Sequence, residues 1–412
     1  MRLVSITALV LGVVTPLGAV PAADAAAPTC AGVKATIVGN AQDNRIKGTP
    51  RRDVIVAGAG NDTIRGLGGN DLVCGGEGAD KIFGGPGDDR LFGEADAYWA
   101  DPYGRVRRVG DTLVPGEGDD RVDPGADPRP VSAGVTAVPD GVSFSGAPTG
   151  LVINLRVSPV VTTAEGTDSI VTIPTGMRLI GTQHADTVFG TNSADWISLR
   201  DGDDKAFGNG GDDTISADGS GPAGNDTVVG GAGDDTLTGS SGSDMFVGGT
   251  GQDRLSSTSV LHQVFRGGGG ADTVTFPLPV ESGFVAKGHG GQDRLRLLAN
   301  PNPAVKARVR LDQKRGRTKV RDLVPTSLEG TIDGFSDVYL PGRATTIYKG
   351  TNDSEIITAD LDYRAQIYGR GGADVLIGSN EPDRLEGGAG FDIARGKKGN
   401  DTCRSAERRS SC

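Results

Sequence analysis

The 412-residue chain contains 67 Gly but only 11 Phe, 6 Tyr and 2 Trp, and 36% of its residues are hydrophobic. This composition excludes large cores filled by bulky side chains, whereas the regular recurrence of apolar residues argues against a disordered chain. A solenoid fits both observations, because each coil needs only a few small aliphatic residues packed on its neighbours. The net charge of −11 and the lack of a basic run with interleaved aromatics argue against nucleic acid as a partner.

Residues 1–25 have the features of a secretory signal peptide. Arg2 supplies the positive start, Leu3–Val14 the apolar core, and Ala23–Ala25 a small-x-small cleavage site. The apolar run is too short and too interrupted to span a bilayer, and no other segment approaches a membrane span. We therefore expect an exported, extracellular protein.

A nine-residue unit occurs twice in residues 75–92, as GGEGADKIF and GGPGDDRLF. Glycines at positions one, two and four permit a left-handed backbone, so that several carbonyl oxygens can turn towards one point. The Asp at position six adds a carboxylate, and such a shell of oxygen atoms suits a hard cation such as calcium. The last three residues predict a short strand whose middle side chain, Ile82 or Leu91, faces a core.

These units resemble the nonapeptide repeat of RTX, or haemolysin-type, calcium-binding proteins. The resemblance implies an all-β protein: a parallel β-roll or β-helix solenoid built from GGxGxDxUx nonapeptides, with two units per coil and calcium ions between stacked turns. A site in that family joins unit i to unit i+2. In the first block this pairs Asp62 with Asp80 and Asp71 with Asp89.

The repeats fall into three blocks linked by calcium-free β coils. We predict an N-terminal cap and first block at 26–123, a β linker at 124–180, a second block at 181–296, a second β linker at 297–349, and a third block with a C-terminal cap at 350–412. The resemblance predicts that the metal ligands are Asp62, Asp71, Asp80, Asp89, Asp120, Asp204, Asp213, Asp226, Asp235, Asp244, Asp253, Asp272, Asp374, Asp383, Asp392 and Asp401. Units without glycine at position four, such as those with Arg51, His184, Ser193 or Glu381, are expected to bind weakly or not at all.

The segments between the blocks leave alternatives open. Leu151–Leu155 and its neighbours alternate as strands do, which favours continuation of the solenoid over a small separate β module. Basic residues at 306–321 favour a solvated hairpin face over a contact with a polyanion or cell wall. The aromatic residues of 93–105 favour a loop lying on the flank of the roll over a ligand-contacting loop.

The four cysteines fit an oxidising compartment and allow three pairings. We predict Cys30–Cys74 and Cys403–Cys412, because each of these disulfides would clip one end of the solenoid, where fraying is worst. The cysteines do not resemble a zinc site, since there is no Cys-x-x-Cys motif and no neighbouring His.

The repeated acids predict folding that depends on calcium. Without metal the carboxylates repel one another and the glycine-rich turns have too much conformational entropy to order. No zinc-protease, nucleophile-elbow or phosphate-loop motif is present, so we predict a non-enzymatic, structural or adhesive protein. The alternatives are a calcium-dependent protein that binds glycans such as cell-surface polysaccharide, and a β-roll that carries a small enzyme or toxin module in the linkers.

Overall fold

The computed structural model describes residues 27–94, 99–100, 106–125, 136–138, 140–156, 160–162, 167–170, 176–219, 224–277, 284–298, 307–312, 317–322, 327–340, 344–360 and 362–412. The secondary structure of these residues consists of short β-strands without a helix. No helix in this part of the chain is long and apolar enough to cross a membrane. The predicted signal peptide and most of the aromatic segment 93–105 lie outside the described residues.

The strands are numbered in chain order. The first thirteen are β1 (Thr29–Cys30), β2 (Val33–Lys34), β3 (Ile37–Val38), β4 (Arg45–Lys47), β5 (Val54–Ala59), β6 (Thr63–Arg65), β7 (Leu72–Glu77), β8 (Lys81–Pro86), β9 (Arg90–Phe92), β10 (Trp99–Ala100), β11 (Val106–Val109), β12 (Thr112–Glu117) and β13 (Arg121–Asp123). The next eighteen are β14 (Thr136–Val138), β15 (Gly141–Ser143), β16 (Val152–Asn154), β17 (Val160–Thr162), β18 (Thr167–Ile170), β19 (Arg178–Ile180), β20 (Thr187–Phe189), β21 (Trp196–Ser198), β22 (Lys205–Gly210), β23 (Thr214–Ser216), β24 (Thr227–Ala232), β25 (Thr236–Gly239), β26 (Met245–Thr250), β27 (Arg254–Ser257), β28 (Val264–Gly269), β29 (Thr273–Pro277), β30 (Val285–Gly290) and β31 (Arg294–Leu298). The last are β32 (Ala307–Asp312), β33 (Arg317–Asp322), β34 (Ser327–Asp333), β35 (Asp337–Tyr339), β36 (Ala344–Lys349), β37 (Ile356–Thr358), β38 (Ala365–Gly371), β39 (Val375–Ile377), β40 (Arg384–Ala389), β41 (Ile393–Arg395), β42 (Thr402–Arg404) and β43 (Arg408–Ser410).

Successive strands alternate between two faces of a parallel solenoid. One face is a single sheet in which parallel pairings run from β4 through β6, β8 and β12 to β43. The other face consists of a 7-stranded sheet between β3 and β17 and a 14-stranded sheet between β16 and β42. The predicted all-β solenoid of parallel coils is therefore confirmed.

The core lies between the two faces and is built from the middle residue of each strand. Ile64 lies opposite Ile82, and Val73 lies opposite Leu91, in the parallel register. These side chains are fully buried and belong to one hydrophobic cluster that extends to Ala406. β-branched and aliphatic residues suit this position because strands project alternate side chains to opposite faces.

The described strands of the first linker continue the first-face sheet. β15 pairs in parallel with β12 before it and β19 after it. On the second face, β18 pairs in parallel with β13 and in antiparallel fashion with β17. The linker 124–180 thus adds coils to the solenoid in the residues that the structure describes.

The second linker adds two antiparallel strand pairings to the second-face sheet. β33 pairs in antiparallel fashion with both β32 and β34, while β34 pairs in parallel with β30 and β32 with β36. On the first face, β35 continues the sheet between β31 and β37. The sequence predicts that the basic side chains of this linker form a solvated face. Those side chains lie outside the described part of the chain, so this stays a prediction.

Both predicted disulfides are present. Cys30–Cys74 ties the β1–β2 hairpin to β7, and Cys403–Cys412 ties β42 to the C-terminal residue. Cys30 and Cys74 are buried beside Val54 and Leu72 in a small cluster of their own. Each disulfide lies near one end of the solenoid, as predicted.

Candidate metal centres

The position-six residues lie in the turns and are joined by a repeated hydrogen bond. The backbone N–H of Asp62 donates to Oδ1 of Asp80, one coil later, at 2.7 Å, and the N–H of Asp71 donates to Oδ1 of Asp89 at 2.7 Å. We call each continuous series of such bonds a carboxylate ladder. The ladder holds each carboxylate between its own turn and the turn of the preceding coil.

Six carboxylate ladders run through the described residues. Two begin in the first block and end in the first linker: Asn44 through Asp62, Asp80 and Asp111 to Asp140, and Asp53 through Asp71, Asp89 and Asp120 to Asp168. Two lie in the second block: Asp186 through Asp204 and Asp226 to Asp244, and Asp195 through Asp213, Asp235, Asp253 and Asp272 to Asp293. Two lie in the third block: Glu355 through Asp374 and Asp392 to Glu407, and Asp383 to Asp401.

The carboxylates of the ladders are buried and incompletely hydrogen-bonded. Every Asp predicted as a ligand is at most 8% exposed. The second oxygen, Oδ2, has no hydrogen-bond partner in any of them except Asp383. A buried carboxylate oxygen without a partner is costly, which indicates that a cation completes these turns.

The raised pKa values of the ladder carboxylates also indicate that their negative charge is not compensated by protein groups. Burial, together with a smaller contribution from neighbouring carboxylates, raises the pKa of Asp89, Asp204 and Asp213 to about 8. Burial likewise raises the pKa of Asp80 and Asp253 to about 7. Negative charge is therefore unfavourable in these turns until a positive charge compensates it.

Glycine is required in the turns because the coils approach one another closely. A Cβ on Gly75 would collide with Oδ2 of Asp80. Gly76 and Gly78 have φ angles of +113° and +128°, and a Cβ on either would collide with a carbonyl oxygen of the preceding coil. The carbonyl oxygens at positions two and four thus face the next turn, near the carboxylates.

This donor set fits calcium. Among the described residues, no three His, Cys, Asp or Glu side chains converge as a metal cluster. A cation in these turns would therefore be bound by one or two carboxylates together with backbone carbonyl oxygens. Calcium accepts six to eight oxygen ligands of both kinds in flexible geometry, whereas zinc favours tetrahedral sites rich in nitrogen and sulfur.

The exposed acids beside the ladders have a separate role. Oδ1 of Asp212 accepts the N–H of Asp234, and Oδ1 of Asp234 accepts the N–H of Gln252. These position-five side chains form an outer hydrogen-bonded row parallel to the buried ladder. In an acidic pair such as Asp212 and Asp213, the first carboxylate is exposed and accepts a backbone N–H, whereas the second is buried in a ladder.

The family model of the RTX calcium-binding nonapeptide repeat (4 copies) matches residues 38–73, 75–98, 180–215, 220–255 and 367–403. The chain carries RTX calcium-binding nonapeptide repeats on a parallel β-roll. RTX nonapeptide repeats bind calcium at multiple sites. A comparison with curated proteins gave no match.

The β-roll brings together the residue pairs expected from the i, i+2 rule. Asp62 with Asp80 and Asp374 with Asp392 are neighbours in their ladders. The same bond joins each of the sixteen predicted ligands to a neighbouring coil. Their role as calcium ligands stays a prediction.

The ladders also contain residues that sequence reasoning did not predict. Asp120 donates its N–H to Asp168, which lies 48 residues away in the linker expected to be calcium-free, and Asp111 donates to Asp140. Neither Asp140 nor Asp168 follows a glycine-rich hexapeptide. The available signal was an Asp at the start of a short strand, since Asp140 directly precedes β15 and Asp168 is the second residue of β18.

Proposed function

We propose that this β-roll protein is secreted and folds when it binds calcium outside the cell, where it has a structural or adhesive role. The observation that carries the proposal is the repeated burial of carboxylates whose Oδ2 atoms have no hydrogen-bond partner. We propose the sixteen predicted Asp residues as the carboxylate ligands. Two of them, Asp213 and Asp235, are each nearly fully buried and adjacent in one ladder.

Calcium contributes folding free energy because its site exists only in stacked coils. Binding at a site stabilises the folded state by about 2.7 kcal/mol when free calcium is a hundredfold above the dissociation constant. Extracellular calcium modules have dissociation constants of about 0.1–1 mM. A chain with many such sites would therefore remain unfolded in a calcium-poor cytosol and fold after export.

Residues 1–25 support the secretion part of the proposal through their charged start, apolar run and small-residue cleavage site. Expression of the full chain followed by N-terminal sequencing of the exported product tests it. Cleavage after Ala25 or nearby is expected. Retention of an intact chain inside the cell would contradict secretion by this route.

Far-UV circular dichroism tests calcium-coupled folding. The chain freed of metal is expected to show a largely unfolded spectrum, and millimolar calcium is expected to restore β-structure. Magnesium at the same concentration is the control, since Mg²⁺ requires near-ideal octahedral geometry and releases its water reluctantly. Identical spectra with and without calcium, or no calcium uptake by equilibrium dialysis, would refute the proposal.

The non-enzymatic part of the proposal is supported by the regularity of the acids. The buried ladder residues share one kind of hydrogen bond, so a pair such as Asp88 and Asp89 is one instance of a repeated structural arrangement. A pull-down on cell-wall polysaccharide, with and without calcium, distinguishes an adhesive role from a purely structural one. Calcium-dependent retention would favour adhesion.

A further inference from the structure

The first residue of each carboxylate ladder differs from the residues that follow it. The N–H of Thr182 donates to Oδ2 of Asp186 at 2.8 Å, and the Thr182 hydroxyl donates to Oδ1 at 2.8 Å. Thr191 makes the same two bonds to Asp195, at 2.6 and 3.0 Å. Both oxygens of these carboxylates therefore have partners: the donors of their own turn and, at Oδ1, the N–H of Leu151 for Asp186 and of Met177 for Asp195.

In all six ladders the position-two N–H donates to the position-six side chain of the first turn, and in five of them a Thr or Ser hydroxyl donates as well. We call the six turns capped turns; their position-two and position-six residues are Asn40 with Asn44, Thr49 with Asp53, Thr182 with Asp186, Thr191 with Asp195, Thr351 with Glu355, and Ser379 with Asp383. The position-six side chains of the capped turns have no buried oxygen without a partner.

The hydroxyl occupies the place where the oxygens of a turn converge. Thr182 Oγ1 lies 2.8 Å from Oδ1 of Asp186 and 3.1 Å from the carbonyl oxygen of His184 at position four. It also accepts the N–H of His184 at 2.9 Å. The hydroxyl thus contacts both the position-four carbonyl and the position-six carboxylate of its own turn. In a glycine turn such as that of Asp204, the position-six Oδ2 has no such partner.

The backbone separates the two kinds of turn as well. In uncapped turns, non-glycine residues at position two keep the left-handed conformation, with φ of 87° at Leu67 and 76° at Asn209. The corresponding carboxylates, Asp71 and Asp213, each keep an Oδ2 atom without a partner. No Thr or Ser at position two of a capped turn has a positive φ. Loss of glycine alone therefore does not convert a turn.

One turn shows which further feature is needed. Ser240 occupies position two, but position four is Gly242, with φ +84°. The N–H of Ser240 donates to Asp218, and Oδ2 of Asp244 has no partner. A capped turn therefore requires both a polar residue at position two and a non-glycine residue at position four.

We propose that the six capped turns hold no cation, because the chain's own hydrogen-bond donors replace it, and that their coils order first and template the calcium-dependent coils. The proposal rests on the calcium-coupled folding of the uncapped turns. A coil that is ordered without metal offers the next coil both a strand edge and a ladder donor. At the start of the second block, for example, the N–H of Asp186 donates to Oδ1 of Asp204 at 2.7 Å.

A double variant in the second block tests the proposal in the full chain. T182V/T191V replaces both hydroxyls by methyl groups and keeps the side-chain shape. T182S/T191S keeps both hydroxyls and is the conservative variant. T214V/T236V is the matched control, because these threonines lie on strands β23 and β25 and, among the described residues, neither hydroxyl is hydrogen-bonded to a ladder carboxylate. The readouts are the calcium concentration at the folding midpoint, by circular dichroism, and the calcium bound at saturation, by equilibrium dialysis.

The valine variant is expected to raise the calcium midpoint by about threefold or more, since two buried carboxylates lose donors. Its bound calcium at saturation should equal that of the wild type, and the serine and control variants should have wild-type midpoints. A wild-type midpoint in the valine variant, or a loss of bound calcium from it, would overturn the inference. Failure of the wild type to bind calcium would instead refute the proposed function.

Hydrogen exchange of the unaltered chain provides a test that does not depend on a variant folding. During a calcium titration, amides of β20 and β21, beside the capped turns, are expected to become protected at lower calcium than amides of β25 and β27. The opposite order of protection would overturn the template role.

Discussion

Substitution of Asp235 by Asn separates the contribution of calcium from that of hydrogen bonding. Asp235 is fully buried, its Oδ1 accepts the N–H of Asp213 at 2.8 Å, and its Oδ2 has no partner. Asn can still accept the ladder bond through its amide oxygen, so D235N removes the charge and keeps the hydrogen bond. D362N, at an exposed position outside the ladders, is the control for charge alone.

The expected magnitude follows from the position of Asp235 between two uncapped coils. Its carboxylate accepts the N–H of Asp213 and its own backbone N–H donates to Asp253, so we expect the loss of its charge to weaken the sites on both sides. At 10 mM calcium and a dissociation constant of about 0.1 mM, each site contributes about 2.7 kcal/mol. Loss of both sites would lower the free energy of unfolding by about 5 kcal/mol.

The effect of D235N on the free energy of unfolding is expected to change sign when calcium is absent. Burial raises the pKa of Asp235 to about 6, so its charge is unfavourable in the metal-free turn. D235N should therefore leave residual metal-free structure unchanged or more stable. Denaturation monitored by circular dichroism, together with hydrogen exchange of β24 to β27, measures both states. An equal loss of stability with and without calcium, or a wild-type calcium midpoint, would refute the reasoning.

Three further predictions concern protonation, turn geometry and the N-terminal disulfide. Burial raises the folded-state pKa of acids such as Asp89 to about 8 from the ordinary value of 3.8, so the metal-free fold should be most stable below about pH 4 and lose stability as pH rises to 8. Calcium affinity should instead fall on acidification, and thermal melts of both forms between about pH 4 and 8.5 check this inversion. Gly76→Ala should destabilise the calcium-bound fold by more than about 1 kcal/mol, whereas Gly269→Ala, with no positive φ and open space at its Cβ, should have little effect in the same denaturation assay. Cys30–Cys74 links residues 44 apart in sequence, so its reduction should lower the stability of the N-terminal end by about 4 kcal/mol. We expect the amides of β5 and β7 to lose protection from hydrogen exchange, and unchanged protection would contradict a stabilising role for this disulfide.

Much of the fold could be predicted because its information is local and periodic. The nine-residue spacing places Ile64, Ile82 and Leu91 at the middle of short strands, and all three are fully buried. Parallel stacking then follows from the identity of successive units, since equal coils bury equal faces on one another. The position-six carboxylates could be predicted for the same reason.

The remainder depended on contacts between residues far apart in sequence. Asp168 reaches the ladder of Asp120 only because the β17–β18 hairpin returns the chain to β13, and no spacing rule predicts that return. Likewise, the left-handed conformation of Leu67 is imposed by the neighbouring coils, because an isolated leucine disfavours it.

The sequence by itself determined the strand period, the identity of the buried aliphatic residues, the buried carboxylates of the regular units and the cysteines at each end. Only the tertiary structure decided which carboxylate oxygens have partners, since a hydrogen bond depends on backbone conformation as well as on residue type. Thr182 and Asn209 both stand at position two, yet the first satisfies its carboxylate and the second leaves Oδ2 of Asp213 without a donor. The two residues differ in backbone conformation, because Asn209 has a φ of 76° whereas Thr182 has no positive φ.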